Sequence, residues 1–213
     1  MKTISQALRL LTAALLGLTI VAASRAMSVL APSFDELVSA ATTVFRGTVT
    51  DVHSVTVDTP QGSAIRTLVT FQVEHALKGA PAATTTLSFL GGKVGRRTLS
   101  VVGMPRFAVG EREIVFVGRN GNAICPVLAG GHGRYHVRHD GKTNRDFMAR
   151  DNNAPLTSTD DVAKPLEPSA SNSTAATAAA ATSAAATSAA ALSPEEFENR
   201  IMRSVHNHRP SQP

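Results

Sequence analysis

From Ile65 to Leu77 the chain alternates with a period of two. Ile65, Thr67, Val69, Phe71, Val73, His75 and Leu77 fall on one side, and Arg66, Leu68, Thr70, Gln72, Glu74 and Ala76 on the other. Successive side chains of a strand point to opposite faces, so this run predicts a long strand with one buried face. Gly79 and Pro81 end it. The stretch before it, 44–57 (VFRGTVTDVHSVTV), is rich in Val and Thr, as strands are. Its apolar phase slips near Val52, which predicts a bulge or bend. Asp58, Pro60 and Gly62 supply the turn between the two strands.

More strands are expected over 84–90, 97–102 and 112–118, with two short ones at 123–128 and 134–139. Asn120-Gly121 is a strong hairpin signal. Two helices flank the β region. Ser33 with Glu36 forms a capping box ahead of Phe34, Leu37, Val38 and Ala41, which recur at helical spacing and predict a helix over 33–43. Ser193, Pro194 and Glu196 repeat the device before Phe197, Ile201, Met202 and Val205, one apolar face of a helix over 193–205. A helix that short is marginal alone, so it must dock, find a partner or fray.

Between residue 141 and residue 192 the alternation is lost, and from Ser169 to Ala191 nearly every residue is Ala, Ser or Thr. With no apolar stripe to bury, such a stretch reads as a flexible linker. At the other end, Lys2 and Arg9 precede an uncharged apolar run over 10–23, and Ser24-Arg25-Ala26 places small residues at the cleavage-site positions before Met27. That is the pattern of a secretory signal peptide, with cleavage after Ala23 as a second position. The run is short of the roughly 20 residues that span a bilayer, so no retained transmembrane helix is expected. The expected organisation is a signal peptide at 1–26, a β domain with its leading helix at 27–145, a linker at 146–192, and a helix and tail at 193–213. The expected destination is the periplasm or the medium.

Charge narrows the partners. Removing residues 1–26 takes Lys2, Arg9 and Arg25 and no acid, so Lys+Arg falls from 21 to 18 against 16 Asp+Glu, and the net charge from +5 to +2. That balance does not call for nucleic acid, which usually meets a clear basic stripe. Cys125 is the one cysteine, so no internal disulfide forms, and a buried, inert thiol is expected. Trp is absent and Tyr occurs once, which leaves few platforms for stacking sugars or bases.

Several phrases of the β region together resemble a known pattern. They are Arg46-Gly47-Thr48-Val49, then Thr67-Leu68-Val69-Thr70 leading to Leu77-Lys78-Gly79, then Gly91-Gly92, then Phe107-Ala108-Val109-Gly110-Glu111 before Ile114-Val115-Phe116. The pattern resembles a group of bacterial exported proteins of unassigned activity. It is also similar to the netrin-like, or tissue-inhibitor-of-metalloprotease-like, version of the OB barrel, in which Phe-x-x-Gly-Glu commonly precedes the closing strand. The resemblance implies an all-β fold, a single OB-like β-barrel over about residues 35–140. The eukaryotic inhibitors act through a mature N-terminal cysteine and carry disulfides, and this chain has neither, so that mechanism does not transfer. The resemblance supplies no catalytic residues.

Candidate chemistry is sparse. His132 and His136 share a strand face, but Arg134 lies between them and Arg138 beyond, while His139 points the other way. Cations beside the ligands oppose a divalent ion, so a solvated basic strand is expected and no metal or other cofactor. His206 and His208 sit in a tail. Gly91-Gly92-Lys93-Val94-Gly95 lacks the Walker spacing and reads as a loop needing positive φ. Asp51 and His53 share a face with Ser54 adjacent, the raw material of a hydrolytic triad, although triads are recognised by geometry. The feature with most binding potential is a cluster of Lys93, Arg96, Arg97 and Arg106, with no acid between residues 79 and 110. Loops of that kind often line the binding face of an OB barrel. Arg96, Arg97 and Arg106 are therefore the candidate binding residues, and an envelope protein or an anionic ligand the candidate partner. The functional expectation is a non-enzymatic binding module. A small envelope hydrolase and a protease-inhibitor-like module without the terminal cysteine are the alternatives.

Overall fold

A computed structural model describes residues 31–59, 62–121, 123–166 and 190–208. The expected signal peptide, most of the Ala/Ser/Thr stretch and the last five residues lie outside them. The fold is mostly β, a six-stranded antiparallel sheet with two helices.

Helix α1 (Phe34–Ala40) starts where expected, with Ser33 and Glu36 forming a reciprocal capping box. Strand β1 (Thr43–Thr59) and strand β2 (Gly62–Lys78) form a long hairpin, and β3 (Thr84–Leu90) pairs with β2. Two short strands, β4 (Gly92–Val94) and β5 (Arg97–Leu99), make a separate hairpin. The chain then returns as β6 (Arg112–Val117), which pairs with the first half of β1. Strands β7 (Arg134–Asp140) and β8 (Arg145–Arg150) complete the order β3-β2-β1-β6-β7-β8. Only the first half of β1 is flanked by β6, so its second half projects past β6 and pairs with β2 alone. The register shift between Val49 and Asp51 answers the expected phase slip, and two further shifts lie nearer the start of β1.

Alternation gives the sheet two buried faces. On one, Val44, Ile114, Phe116, Tyr135 and Met148 pack against Leu37 and Val38 of α1 and against Phe197 and Ile201 of α2 (Pro194–Asn207). Tyr135 and Phe197 pack with tilted rings, their centroids 4.9 Å apart. On the other, Phe45, Val69, Phe71, Leu87, Phe89 and Val115 form a second core, joined by Met104, Phe107 and Val127 from connecting segments.

Both sheet edges are covered. Along β3, the Asn120 carboxamide accepts from the Ser88 N–H and donates to the Thr86 carbonyl, and the Leu90 N–H bonds Ile124. Along β8, the Met148 N–H bonds Leu192, the Leu156 N–H bonds Met148, and the Arg150 N–H bonds Ala154. Pairing with loops blunts these two edges, of the kind on which chains aggregate.

Four expectations change. The domain boundary at residue 145 falls at the start of β8, and the folded unit continues through a 3-10 turn at Thr159–Ala163, whose Val162 is fully buried together with Leu156. The expected linker therefore contributes Leu156, Val162, Ala191 and Leu192 to buried structure. Strand β8 escaped notice because it is short and mixes Arg145, Asp146 and Arg150 with two large apolar residues, too little to show a period. The expected strand at 123–128 shrinks to one bridge, Val117 to Val127, and Asn120-Gly121 lies in the longer connection from β6 to β7 instead of a two-residue hairpin. Met202 is half-exposed, outside the buried stripe of α2.

Candidate functional site

The projecting half of the β1–β2 hairpin, the end of β3, the β4–β5 hairpin and the segment 98–107 enclose a cleft of about 750 Å³. Its walls include Val52 and Val69 from the hairpin, Phe89 from β3 and Phe107 from the returning segment. The close approach of β4 to the hairpin depends on Gly91 and Gly92, with φ of +106° and +131°. Such values suit glycine. A methyl group at Gly92 would overlap the hydroxyls of Ser54 and Thr67. Those hydroxyls bond each other at 3.0 Å, Thr67 donates to the Gly91 carbonyl at 2.8 Å, and the Lys93 N–H donates to Ser54 at 3.3 Å. The hydroxyls thus bind the wall together. Lys93 and Arg106 are the charged residues of the lining, and no Asp, Glu, His or Cys is among the described residues that line it. Leu99 and Val102 belong to the lining and are exposed, Val102 almost completely at 99 %.

The wall formed by Phe107 is held from behind by a buried ion network. The Arg134 guanidinium donates to Glu113 through Nε at 2.6 Å and Nη2 at 2.8 Å, to Glu111 at 3.1 Å and to Asp151 at 3.0 Å. Glu113 also meets His136 Nδ1 at 3.0 Å. Burial alone would raise the Glu113 carboxyl, but the hydrogen bonds from His136 and Arg134 and the Arg134 charge outweigh it and hold its pKa below the usual range. A planar guanidinium that bonds two carboxylate oxygens side by side is the arrangement best able to offset a buried charge. Glu111 accepts the Ala108 N–H at 2.8 Å as well, while the Gly110 N–H and the Glu111 carbonyl both bond Val49. The phrase Phe107 to Glu111 is thus a clasp that fixes Phe107 between the sheet and the cleft. Glu111, Glu113 and His136 bring one ligand atom each within 4.8 Å of one another, a spacing that could hold a metal ion. Both carboxylates, however, already bond the Arg134 guanidinium, whose fixed positive charge opposes a second cation there.

A second charged group lies on the opposite face and fastens α2. Arg46, itself 6 % exposed, reaches Glu74 at 3.2 Å and Glu198 at 3.0 Å. His75 Nδ1 meets Glu198 Oε2 at 2.9 Å, and Arg46 Nη2 lies 3.2 and 3.3 Å from the two ring nitrogens of His75. Arg112 extends the ribbon from Glu74 to Asp146, which also pairs with His139.

The candidate binding residues separate. Arg106 lines the cleft, whereas Arg96 and Arg97 are exposed at the β4–β5 turn and are not part of the lining. Of the expected solvated basic strand, Arg134 and His136 are buried, a correction caused by carboxylates that arrive from β6 and its approach. His132 is buried in a 3-10 turn against the Val162 carbonyl, and burial lowers its pKa. His139 is exposed beside Asp146. Asp51 and His53 do pair, at 2.5 Å, but Ser54 points to the other face, into its bond with Thr67, so the three do not form a triad. Burial pushes the Cys125 thiol up, which disfavours the reactive thiolate. His206 is exposed, and His208 bonds the Ser204 carbonyl of its own helix.

Sequence reasoning singled out the cations and missed the cleft, because its walls come from four separate segments. It also missed the Glu113–Arg134 pair, for which the only signal was an acid next to the apolar run Ile114 to Val117 of β6. No protein-family model matches the chain, and no curated protein matches it either.

Proposed function

We propose that the protein is an exported, non-enzymatic binding module that takes an anionic ligand into the cleft between the β1–β2 hairpin and the β4–β5 hairpin. The observation that carries this reading is the lining itself: mainly apolar walls, Lys93 and Arg106 as its charged groups, and no acidic residue among the described residues that line it. Pockets of about 300–1,000 Å³ with apolar walls and a few placed polar groups are the usual form of small-ligand sites. A hydrolytic reading needs a general base within reach of substrate, and the described lining offers no carboxylate or imidazole. Arg96 and Arg97 stand outside the lining as a cationic approach that attracts an anion before it enters.

We place the cleft on an OB-like, netrin-like barrel. The second core is large and has loops rather than helices among its described covering elements, which suits a sheet curled around its own side chains. The bulged β1, shared by β2 and β6, supplies the bend. Export rests on the N-terminal pattern at 1–26, and no helix among the described residues is long and apolar enough to cross a membrane.

The test is to isolate the protein from its own cells under native conditions, extract it, and identify small molecules that co-purify in stoichiometric amount by mass spectrometry. An anion that is retained by the wild type and lost from a folded Lys93→Ala, Arg106→Ala variant supports the reading. Retention by the variant sinks it. The same spectra give the mature N-terminus, and a mature chain that keeps residues 1–23 removes the export assignment.

A further inference from the structure

We infer that the ligand is a single-chain amphiphile, a long-chain fatty-acid carboxylate whose tail lies along the apolar walls and whose head meets Lys93 and Arg106. The inference rests on the cleft being the binding site and adds the chemistry of its occupant.

Three observations select an acyl chain. First, the two hydroxyls of the hairpin wall, Ser54 and Thr67, are already used: they bond each other, the Gly91 carbonyl and the Lys93 N–H, while the other two hydroxyls of the lining, Thr98 and Ser100, are on exposed residues. A ligand rich in hydroxyls or amides would find few free partners there, and its own polar groups would be buried unpaired. A hydrocarbon tail asks for none. Second, Val52, Val69, Phe89 and Phe107 present aliphatic groups and two phenyl rings 5.1 Å apart, and no Tyr or Trp lines the cleft to stack a sugar or a base and bond its edge. Third, Leu99 and Val102 expose apolar surface at the cleft, 37 % and 99 % accessible. Burying such surface against a ligand is favourable, and a tail offers the matching surface.

The head group follows from charge. Among its described residues the cleft lining carries Lys93 and Arg106 and no acid, so a carboxylate gains where an uncharged head does not. The Arg106 guanidinium matches the fork of a carboxylate in two parallel bonds.

The experiment is displacement of a fluorescent acyl probe from the whole protein purified from its own cells, with competitors held below their micellar concentrations. Octanoate, dodecanoate and hexadecanoate vary the tail, hexadecanol removes the charge, and acetate and inorganic phosphate remove the tail. One site per chain is expected, tightening by roughly tenfold for each two methylenes until the cleft is filled. Hexadecanol should bind at least tenfold more weakly than hexadecanoate. Leu99→Glu, at an exposed position, places an acid at the cleft and should abolish hexadecanoate binding while circular dichroism remains native. Lys93→Ala with Arg106→Ala should bring hexadecanoate to the level of hexadecanol.

Acetate or phosphate binding as tightly as hexadecanoate, and losing affinity in the Lys93, Arg106 variant, overturns the acyl chain and leaves the anion-binding cleft standing. Hexadecanoate and hexadecanol binding equally, with no effect of either variant, overturns both. No saturable binding of any chain by natively folded protein overturns the acyl chain alone, and the co-purification experiment then decides the cleft.

Discussion

The Arg134 guanidinium lies 4.1 Å over the centre of the Phe107 ring. That contact joins the buried ion network to the wall of the cleft, because Phe107 also packs on Phe71 and Phe89, with ring centroids 5.7 and 5.1 Å away. A cation over an aromatic face is attracted to its quadrupole, and the attraction grows when water is excluded. The cleft wall is thereby tied to the same carboxylates that pin the loop.

Arg134→Met should therefore cost more than a surface change. Glu113 is fully buried and would lose its charge partner, which typically costs about 3–5 kcal/mol. Glu113→Leu combined with Arg134→Met removes both charges and should recover much of that loss, since replacing a whole buried pair with apolar groups is often neutral. Denaturant unfolding of the two singles and the double measures the coupling. A double variant as unstable as Arg134→Met alone would contradict the account.

Acid should lower stability in two stages. Burial lowers the His132 pKa, so below about pH 6.5, the free value, the unfolded chain binds more protons and stability begins to fall. Glu113, Glu74 and Asp146 have depressed pKa values when folded, so their contribution is present above about pH 4 and is lost as pH falls through the folded values. Urea midpoints measured from pH 8 to pH 3 should show a shallow decline from about 6.5 and a steeper one below about 4. His132→Gln should remove the first and keep the second.

Helix α2 should behave as part of the folded unit. Phe197 is fully buried, packed against Tyr135 and near Phe34 and Phe116. Phe197→Ala should cost about 3–5 kcal/mol, and the loss should appear in the same unfolding transition as the sheet. A separate early transition confined to helix signal would show that α2 docks only loosely. In limited proteolysis, cleavage within 146–166 should be as slow as cleavage within the sheet.

Arg96 and Arg97 should affect approach more than stability. Both are exposed at the β4–β5 turn, where the loss of a charge contributes little to folding. Arg96→Ala with Arg97→Ala should slow the capture of an anionic ligand severalfold at low salt and leave a smaller difference at high salt. Stopped-flow binding at two ionic strengths, with circular dichroism as the folding control, reads this directly. Equal rates in the variant and the wild type would return the pair to the role of a solvated turn.

Local chemistry made some of this fold legible from the chain alone. The capping boxes at Ser33 and Ser193 involve residues three apart, and the period of two in β2 needs only the geometry of one strand. Those elements form where expected. What the chain alone could not reveal is what faces each side chain. Arg134 and His136 look like solvated cations until β6 brings Glu113 beside them across 21 and 23 positions. Strand β8 and the segment around Leu156 carry too short a pattern to register, yet they pair and are buried because β7 and residues 191–192 supply hydrogen-bond partners and apolar cover. The cleft follows the same logic. Gly92, Ser54, Thr67 and Phe107 are ordinary residues in four separate stretches, and only the return of the chain through the clasp at 107–111 makes them one surface. Sequence determined the long strands β1 and β2, the helix caps and the positions of charge. Tertiary structure decided which charges are buried and where the chain is hollow, because both depend on contacts between segments far apart along it.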